Sequence, residues 1–239
     1  DPSLPKTDID PVTGNYVYYG NTDWMKELYA DKNPATEQNL SVSGGNAKSE
    51  YYLSGRYMGQ NGIFRYNPDK FKMYNVRANG AVRPFNWLKL ENTFDFSQRT
   101  YFYPILNHPG NTPVWRRISD EAFPIAMLKN PDGTLTENAS IVFGSFLTGN
   151  NYSDQTQQLL RNTSRFTTTF LDNRLLINRD FTYTSTSNIE TRLYTPVPYN
   201  KAPGVTLTRG ESKMNENNDR TSYTGLNLFA DYEQRVSKH

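Results

Sequence analysis

Apolar and polar residues alternate with a period of two along most of this chain, the signature of half-buried β-strands. Leu40 and Val42 alternate with Asn39, Ser41 and Ser43. Next, Tyr51, Leu53, Gly55 and Tyr57 share one side, and Glu50, Tyr52, Ser54 and Arg56 the other. Tyr74, Val76, Ala78, Gly80 and Val82 then oppose Asn75, Arg77 and Asn79. The clearest segment sets Leu88, Leu90, Phe94 and Phe96 against Lys89, Glu91, Thr93, Asp95 and Ser97. Residues 157–170 place Leu160, Phe166 and Phe170 opposite Arg161, Arg165, Thr167 and Thr169. Leu175, Ile177, Phe181 and Tyr183 oppose Asn178, Asp180, Thr182 and Thr184, with Arg179 on the apolar side and Leu176 on the polar one. Finally, Leu226, Leu228, Ala230 and Tyr232 oppose Asn227, Asp231 and Glu233. The pattern predicts about seven strands, each with one face suited to lipid and one to water.

The connections are unequal. Tight turns fall near Gly44-Gly45-Asn46-Ala47-Lys48, Arg83-Pro84-Phe85-Asn86 and Leu171-Asp172-Asn173, whereas long stretches run over 59–70, 100–156 and 190–220. In an up-and-down antiparallel sheet successive connections lie at opposite ends, so all the tight turns belong to one end and all the long loops to the other. That is the layout of a transmembrane β-barrel with short periplasmic turns and long extracellular loops. A soluble sandwich also buries one face of each strand, but its strands are usually about 5–6 residues long. Several segments here reach the roughly 9–11 residues of a tilted membrane strand. The predicted fold is therefore all-β, an antiparallel up-and-down barrel, with 1–37 a loop carrying a short helix and 38–239 a partial barrel wall.

Composition agrees. Only 36% of the 239 residues are hydrophobic, while 17 Tyr and 13 Phe raise the aromatic share to 14%. The mean hydropathy is −0.77. A chain poor in aliphatics but rich in aromatics suits strands and membrane interfaces. No apolar run approaches the roughly 18 residues of a membrane helix, a test that barrel strands escape. The 26 basic and 24 acidic residues are scattered, giving a net charge of +2 and no basic cluster for nucleic acid. With no Cys, disulfides and thiolate metal sites are excluded.

Within 1–37, Trp24, Met25, Leu28 and Tyr29 predict a short amphipathic helix capped by Thr22 or Asn21. The 100–156 stretch is long enough to imply a binding or lid role. Its candidate ligand-binding residues are Tyr101, Tyr103, His108, Trp115, Arg116 and Arg117, which can stack on sugar rings or meet peptide carboxylates. The same aromatics serve equally well as the loop's own packing core. Asn130-Pro131-Asp132-Gly133 reads as a turn with too few carboxylates for calcium. A catalytic triad would have to use His108, which has no nucleophile elbow nearby. Glu91, Asp95, Asp180, Asp231 and Glu233 fall on the alternating polar faces, where a solvated lumen accounts for them. Neither enzyme chemistry nor a cofactor or metal is called for.

Particular residues then carry a resemblance. Asn21-Thr22-Asp23-Trp24, Asn39-Leu40-Ser41-Val42-Ser43-Gly44-Gly45-Asn46, a Tyr- and Ser-rich strand and Gly59-Gln60-Asn61-Gly62-Ile63 follow in an order that resembles the SusC/RagA family of TonB-dependent outer-membrane transporters. The likeness is dense over 21–63 and continues as general barrel character, helped by a Pro-rich segment from Phe123-Pro124-Ile125 to Thr134. The resemblance implies a plugged barrel of about 22 strands. It also implies energy delivered through TonB, and a SusD-like lipoprotein over the outer mouth capturing oligosaccharides or oligopeptides. On that analogy the chain is an interior segment, from the loop after the first strand to about the eighth, without signal peptide, plug or TonB-contacting region. About seven strands cannot close such a barrel, and open edges invite aggregation, so the span is not expected to fold stably alone. The competing reading is a secreted all-β carbohydrate-binding module using 100–117 as an aromatic platform; a barrel enzyme with its site in the lumen is a third.

Overall fold

The computed structural model describes residues 6–107, 113–172 and 174–234. A small hairpin of β1 (Thr7–Ile9) and β2 (Tyr16–Tyr18) leads into helix α1 (Trp24–Leu28). Strands β3 (Ala35–Gly45), β4 (Ser49–Asn61), β5 (Lys70–Phe85) and β6 (Leu88–Pro104) follow. Helices α2 (Val114–Glu121), α3 (Glu137–Val142) and α4 (Gly144–Thr148) come next. The chain closes with β7 (Tyr152–Phe170), β8 (Leu175–Tyr194), a hairpin of β9 (Val197–Ala202) and β10 (Val205–Arg209), and β11 (Lys213–Tyr232). Seven strands form one antiparallel meander in the order β11-β8-β7-β6-β5-β4-β3.

The register puts the predicted apolar positions on one face. Val42, Leu53, Ala78 and Phe94 are successive cross-strand partners, and so are Phe166, Arg179 and Leu228. Nothing in the described residues covers that face: Leu53 is 47% exposed, Val76 40%, Leu226 79% and Leu228 73%. A soluble sandwich covers such side chains with a second sheet, and among the described residues no sheet lies over them. Such a continuous apolar face demands an apolar environment, and the alternation demands water on the other side.

The strands run further toward the loop end than the alternation reveals. β6 continues to Pro104 and β7 begins at Tyr152, both inside the stretch 100–156; β8 reaches Tyr194 and β11 starts at Lys213, inside 190–220. The reason is geometric. A strand of 20 residues, like β8, is about 65 Å long, whereas about 9–11 residues cross a bilayer. In a membrane-crossing sheet, residues beyond that span meet water on both faces, where a period of two is no longer needed. On β11 the outward positions Leu226, Leu228, Ala230 and Tyr232 are apolar, while Ser222, Arg220, Asn218 and Glu216 of the same face are polar.

The tight turns differ in detail. Asn46 organises the first: its Oδ1 accepts from Lys48 N at 2.8 Å and Ser49 N at 3.0 Å. In the second, Arg83-Pro84-Phe85 belongs to β5 rather than to the turn, which is Asn86-Trp87. Pro84 has no N–H for the ladder and sits where the register shifts between Val82 and Phe85. In the third, Leu171 and Asp172 both have positive φ (54° and 53°) and Arg174 N donates to Leu171 O; Asn173 lies outside the described residues. Phe85 and Trp87 stack at 5.4 Å, and with Phe170 and Tyr232 they place exposed aromatics at the turn end.

At the other end the connections fold into a cap that holds the hydrophobic core. Trp24, Leu28, Val114, Ala126, Ala139, Val142, Phe143 and Phe146 form one buried cluster. Trp24 meets Phe143 edge-on at 5.7 Å and donates from its indole to Phe123 O at 2.9 Å. Thr22 Oγ1 donates to Ala126 O at 2.6 Å, and Gly20 N and Thr22 N donate to Ile125 O and Pro124 O. Asn21-Thr22-Asp23-Trp24 and Phe123-Pro124-Ile125, both singled out from sequence, are thus two halves of one contact. The expected cap residue changes accordingly. Asp23, whose Oδ1 accepts from Lys26 N, caps α1, because the Thr22 hydroxyl is committed to Ala126.

Candidate ligand-binding wall

The polar face of the sheet is held by side-chain pairs, most of them across strands. Arg77 Nε donates to Asp95 Oδ1 at 2.6 Å, Lys89 pairs with Glu91 at 2.6 Å, and Arg165 grips Asp180 through both carboxylate oxygens at 2.7 and 2.8 Å. Asn75, Asn178 and Thr163 add side-chain bonds to Ser97, Thr167 and Thr182. Neutral and charged partners alternate across the strands, which fixes the register and keeps the face hydrophilic. Of the carboxylates noted in the sequence, Glu91, Asp95 and Asp180 each hold a basic side chain, and Asp231 accepts from Asn178 at 3.3 Å.

Nearer the cap this face becomes a built surface. Tyr101 and Tyr103, two residues apart on β6, stack at 5.0 Å. Gln155 donates to Tyr103 OH at 3.2 Å and to Glu190 Oε1 at 2.7 Å. That same oxygen accepts from Ser153 Oγ at 2.8 Å and from Arg192 Nε at 2.7 Å. A hollow of about 510 Å³ opens beside this network, lined among others by Phe71, Arg99, Tyr101, Asn188, Glu190 and Asn217. A second, of about 570 Å³, lies lower on the wall between β3 and β7, and Arg99 lines both. Rings, amides and guanidinium groups facing a water-filled groove can hold sugar faces, peptide amides and carboxylates.

The six candidates from sequence do not form one site. Tyr101 and Tyr103 are on this wall, while Trp115, Arg116 and Arg117 are carried by α2 in the cap; His108 lies outside the described residues. Trp115 stacks on Tyr29 at 5.6 Å and leans on Phe64 at 6.5 Å, so its ring contributes to cap packing while remaining half exposed. Arg116 and Arg117 pair along the helix with Asp120 and Glu121. Sequence reasoning missed Arg99, Ser153, Gln155, Glu190 and Arg192. Four of the five lie in the stretches read as loop, and in the wet upper halves of the strands no alternation marks them.

The cap is sewn by polar side chains outside the sheet. Asn130 Nδ2 donates to Leu135 O and Asn200 O, and Tyr18 OH donates to Asn130 Oδ1 at 2.7 Å. Asp132 accepts from Thr134 N and Oγ1, Asn200 Nδ2 and Tyr16 OH. These bonds, led by the Thr134 hydroxyl, hold the Asp132 carboxyl below its usual range. Burial, helped by Tyr16, Glu137 and Asp132 nearby, pushes the Tyr18 phenol up to about 12.

Against known proteins, no family profile matches the chain. Over 50 residues, a fifth of its length, it is 44% identical to TonB-dependent receptor P3 of Formosa agariphila, a match spanning 5% of that receptor. Its fold matches solved structures of the RagAB peptide importer. In the closed-closed state the TM-score is 0.66 at 19% identity over 99% of this chain, and in the open-open state 0.61 at 18%. A further RagAB peptide transporter structure gives 0.67 at 18%. The chain spans about a quarter of the chains it superposes on. The chain thus shares the fold of one part of these barrel transporters: an antiparallel seven-stranded sheet with its cap of loops.

Proposed function

We propose that this chain is part of the wall of a TonB-dependent outer-membrane transporter that imports oligopeptides or oligosaccharides, with a SusD-like lipoprotein closing over the cap. The observation that carries the reading is the sheet itself. It has an exposed apolar face, a hydrogen-bonded polar face, tight turns at one end and a folded cap at the other, and this arrangement follows the RagAB fold over 99% of the chain. The apolar face meets lipid, the turns point to the periplasm and the cap to the outside. β3 and β11 are the free edges of the sheet and pair with further strands of a closed barrel of about 22. The plug and the region that engages TonB lie in other parts of that protein.

In this reading the wall does no bond chemistry. Substrate enters beneath the lipoprotein, passes the cap, and meets the Tyr101–Tyr103 stack and the Glu190 network before the plug moves. The test is uptake. Deleting the full-length gene should abolish import of a labelled oligopeptide or oligosaccharide mixture that the intact strain takes up, and the full-length copy should restore it only in cells with a working TonB. Unchanged import after deletion would end the proposal. Affinity capture of the full-length protein should co-purify one surface lipoprotein.

A further inference from the structure

We infer that the wall between β4 and β7 is a carboxylate-binding station for the substrate, with Arg99 and Arg161 as its open cationic groups. The inference rests on the transporter reading above and adds the charge of what is carried. The argument begins from which charges on the polar face are neutralised. Arg56 is held by Glu37 at 3.1 Å, Arg77 by Asp95, Lys89 by Glu91, Arg165 by Asp180 and Arg192 by Glu190. Arg99 and Arg161 differ: among the described residues neither side chain has a hydrogen bond or an ion pair. Arg161 stands directly across from Asp95, but the bonded Oδ1 of that carboxylate is taken by Arg77 from the other side. Arg99 stands between Met73 and Gln157, which offer no charge.

Both side chains are exposed on the wall and line the hollow of about 570 Å³. Four arginines face that hollow, Arg56, Arg77, Arg99 and Arg161, against the carboxylates Asp95 and Glu37, the latter reached through Arg56. The excess is therefore positive and fixed in place by the strands. In a groove walled by protein, field lines concentrate and such an excess attracts anions more strongly than on an open surface. The guanidinium fork matches a carboxylate through two parallel hydrogen bonds. Leu159, between Arg161 and Gln157 on β7, supplies one apolar contact, and Asn75 and Ser97 supply neutral polar ones. Arg99 also lines the upper hollow with Tyr101 and Glu190, so a bound anion would be handed down the wall from the aromatic stack. The shared chemistry is a carboxylate on an oligomer, from acidic side chains of a peptide or from uronic acid units of a glycan.

The experiment uses the full-length transporter in detergent, with binding measured calorimetrically at low and high salt. The probes are tetraglutamate against tetraglutamine, and tetragalacturonate against a neutral galactose tetramer. At least one acidic probe should bind more tightly than its neutral counterpart, and which one does so identifies the source of the carboxylate. In R99Q/R161Q that acidic probe should weaken about ten-fold or more, with its salt dependence reduced, while the neutral probe stays within about two-fold. R99K/R161K, which keeps the charge without the fork, should fall between. Equal binding of acidic and neutral probes by the unaltered protein overturns the inference. So does a variant that weakens both alike, because the arginines would then be supporting the wall. Uptake of neutral oligomers that persists without any acidic preference would leave the transporter reading intact, whereas loss of all uptake dependence on the gene would remove that reading itself.

Discussion

Single side chains decide how firmly the turns and cap are set. Leu171 occupies left-handed backbone, φ 54°, and is 62% exposed, so a β-carbon there costs conformational energy with no packing in return. Replacing it by Gly or Asn should stabilise the refolded full-length barrel by about 0.5–1 kcal/mol, read as a shift in the denaturant midpoint in micelles. Trp24 is the opposite case, 4% exposed with its indole bonded to Phe123 O. Trp24→Ala should cost the cap about 3–5 kcal/mol, seen as new protease cleavage within 113–150 while the strands stay protected. Asp132 links cap stability to pH. Its lowered carboxyl means that the folded cap favours the charged form. Its contribution is complete above the ordinary carboxylate value and disappears as pH falls through the depressed one. Amide exchange around 130–134 should therefore speed up in acid, and Asp132→Asn should flatten that dependence. Tyr18 acts in the other direction: its phenol, raised to about 12, stabilises the neutral form below pH 10 and loses that effect as pH climbs toward 12.

At the scale of elements, the strands were legible where one face is apolar and illegible where both are polar. The lower half of β11 alternates from Leu226 to Tyr232, and the same strand above it, from Lys213 to Thr224, is polar almost throughout. Nothing local distinguishes that upper half from a loop; it is a strand because β8 pairs with it residue by residue from Lys213–Tyr194 to Tyr232–Leu175. Between other strands, the ion pairs Arg77–Asp95 and Arg165–Asp180 on the polar face make the pairing specific. Asp180, almost buried beneath Arg165, is the most enclosed of them. Asp180→Ala should destabilise the β7–β8 pair by about 1–3 kcal/mol. Faster exchange of amides in 163–168 and 177–182 would report it, with β3 and β4 unaffected. The helices follow other rules. α3 is capped by Thr136, whose hydroxyl also donates to Met127 O at 2.6 Å, so its position depends on a segment nine residues away.

The whole molecule inverts the usual arrangement, with its dry core in the loops and its sheet exposed. In the transporter reading proposed above, that inversion follows from solvent. A sheet whose apolar side chains meet lipid needs no internal core, whereas a cap in water has to bury its own. Nitroxide labels in the full-length protein test the assignment: at Leu228→Cys and Leu226→Cys they should be accessible to oxygen dissolved in lipid, and at the intervening Asn227→Cys to a water-soluble relaxant. Equal aqueous access at all three positions would contradict the lipid-facing assignment. The sequence by itself determined the fold class, the identity of the two faces and the asymmetry between turns and loops, because a period of two and the residues of tight turns are local properties. It also marked the Asn21–Trp24 and Phe123–Ile125 motifs without revealing that they touch. Only the tertiary structure decided that Tyr101 and Tyr103 face the groove while Trp115 packs against Tyr29, and that the side chains of Arg99 and Arg161 stand unpaired beside the occupied cross-strand pairs Arg77–Asp95 and Arg165–Asp180. Which charge neutralises which depends on cross-strand register, and register joins residues tens of positions apart that no local pattern connects.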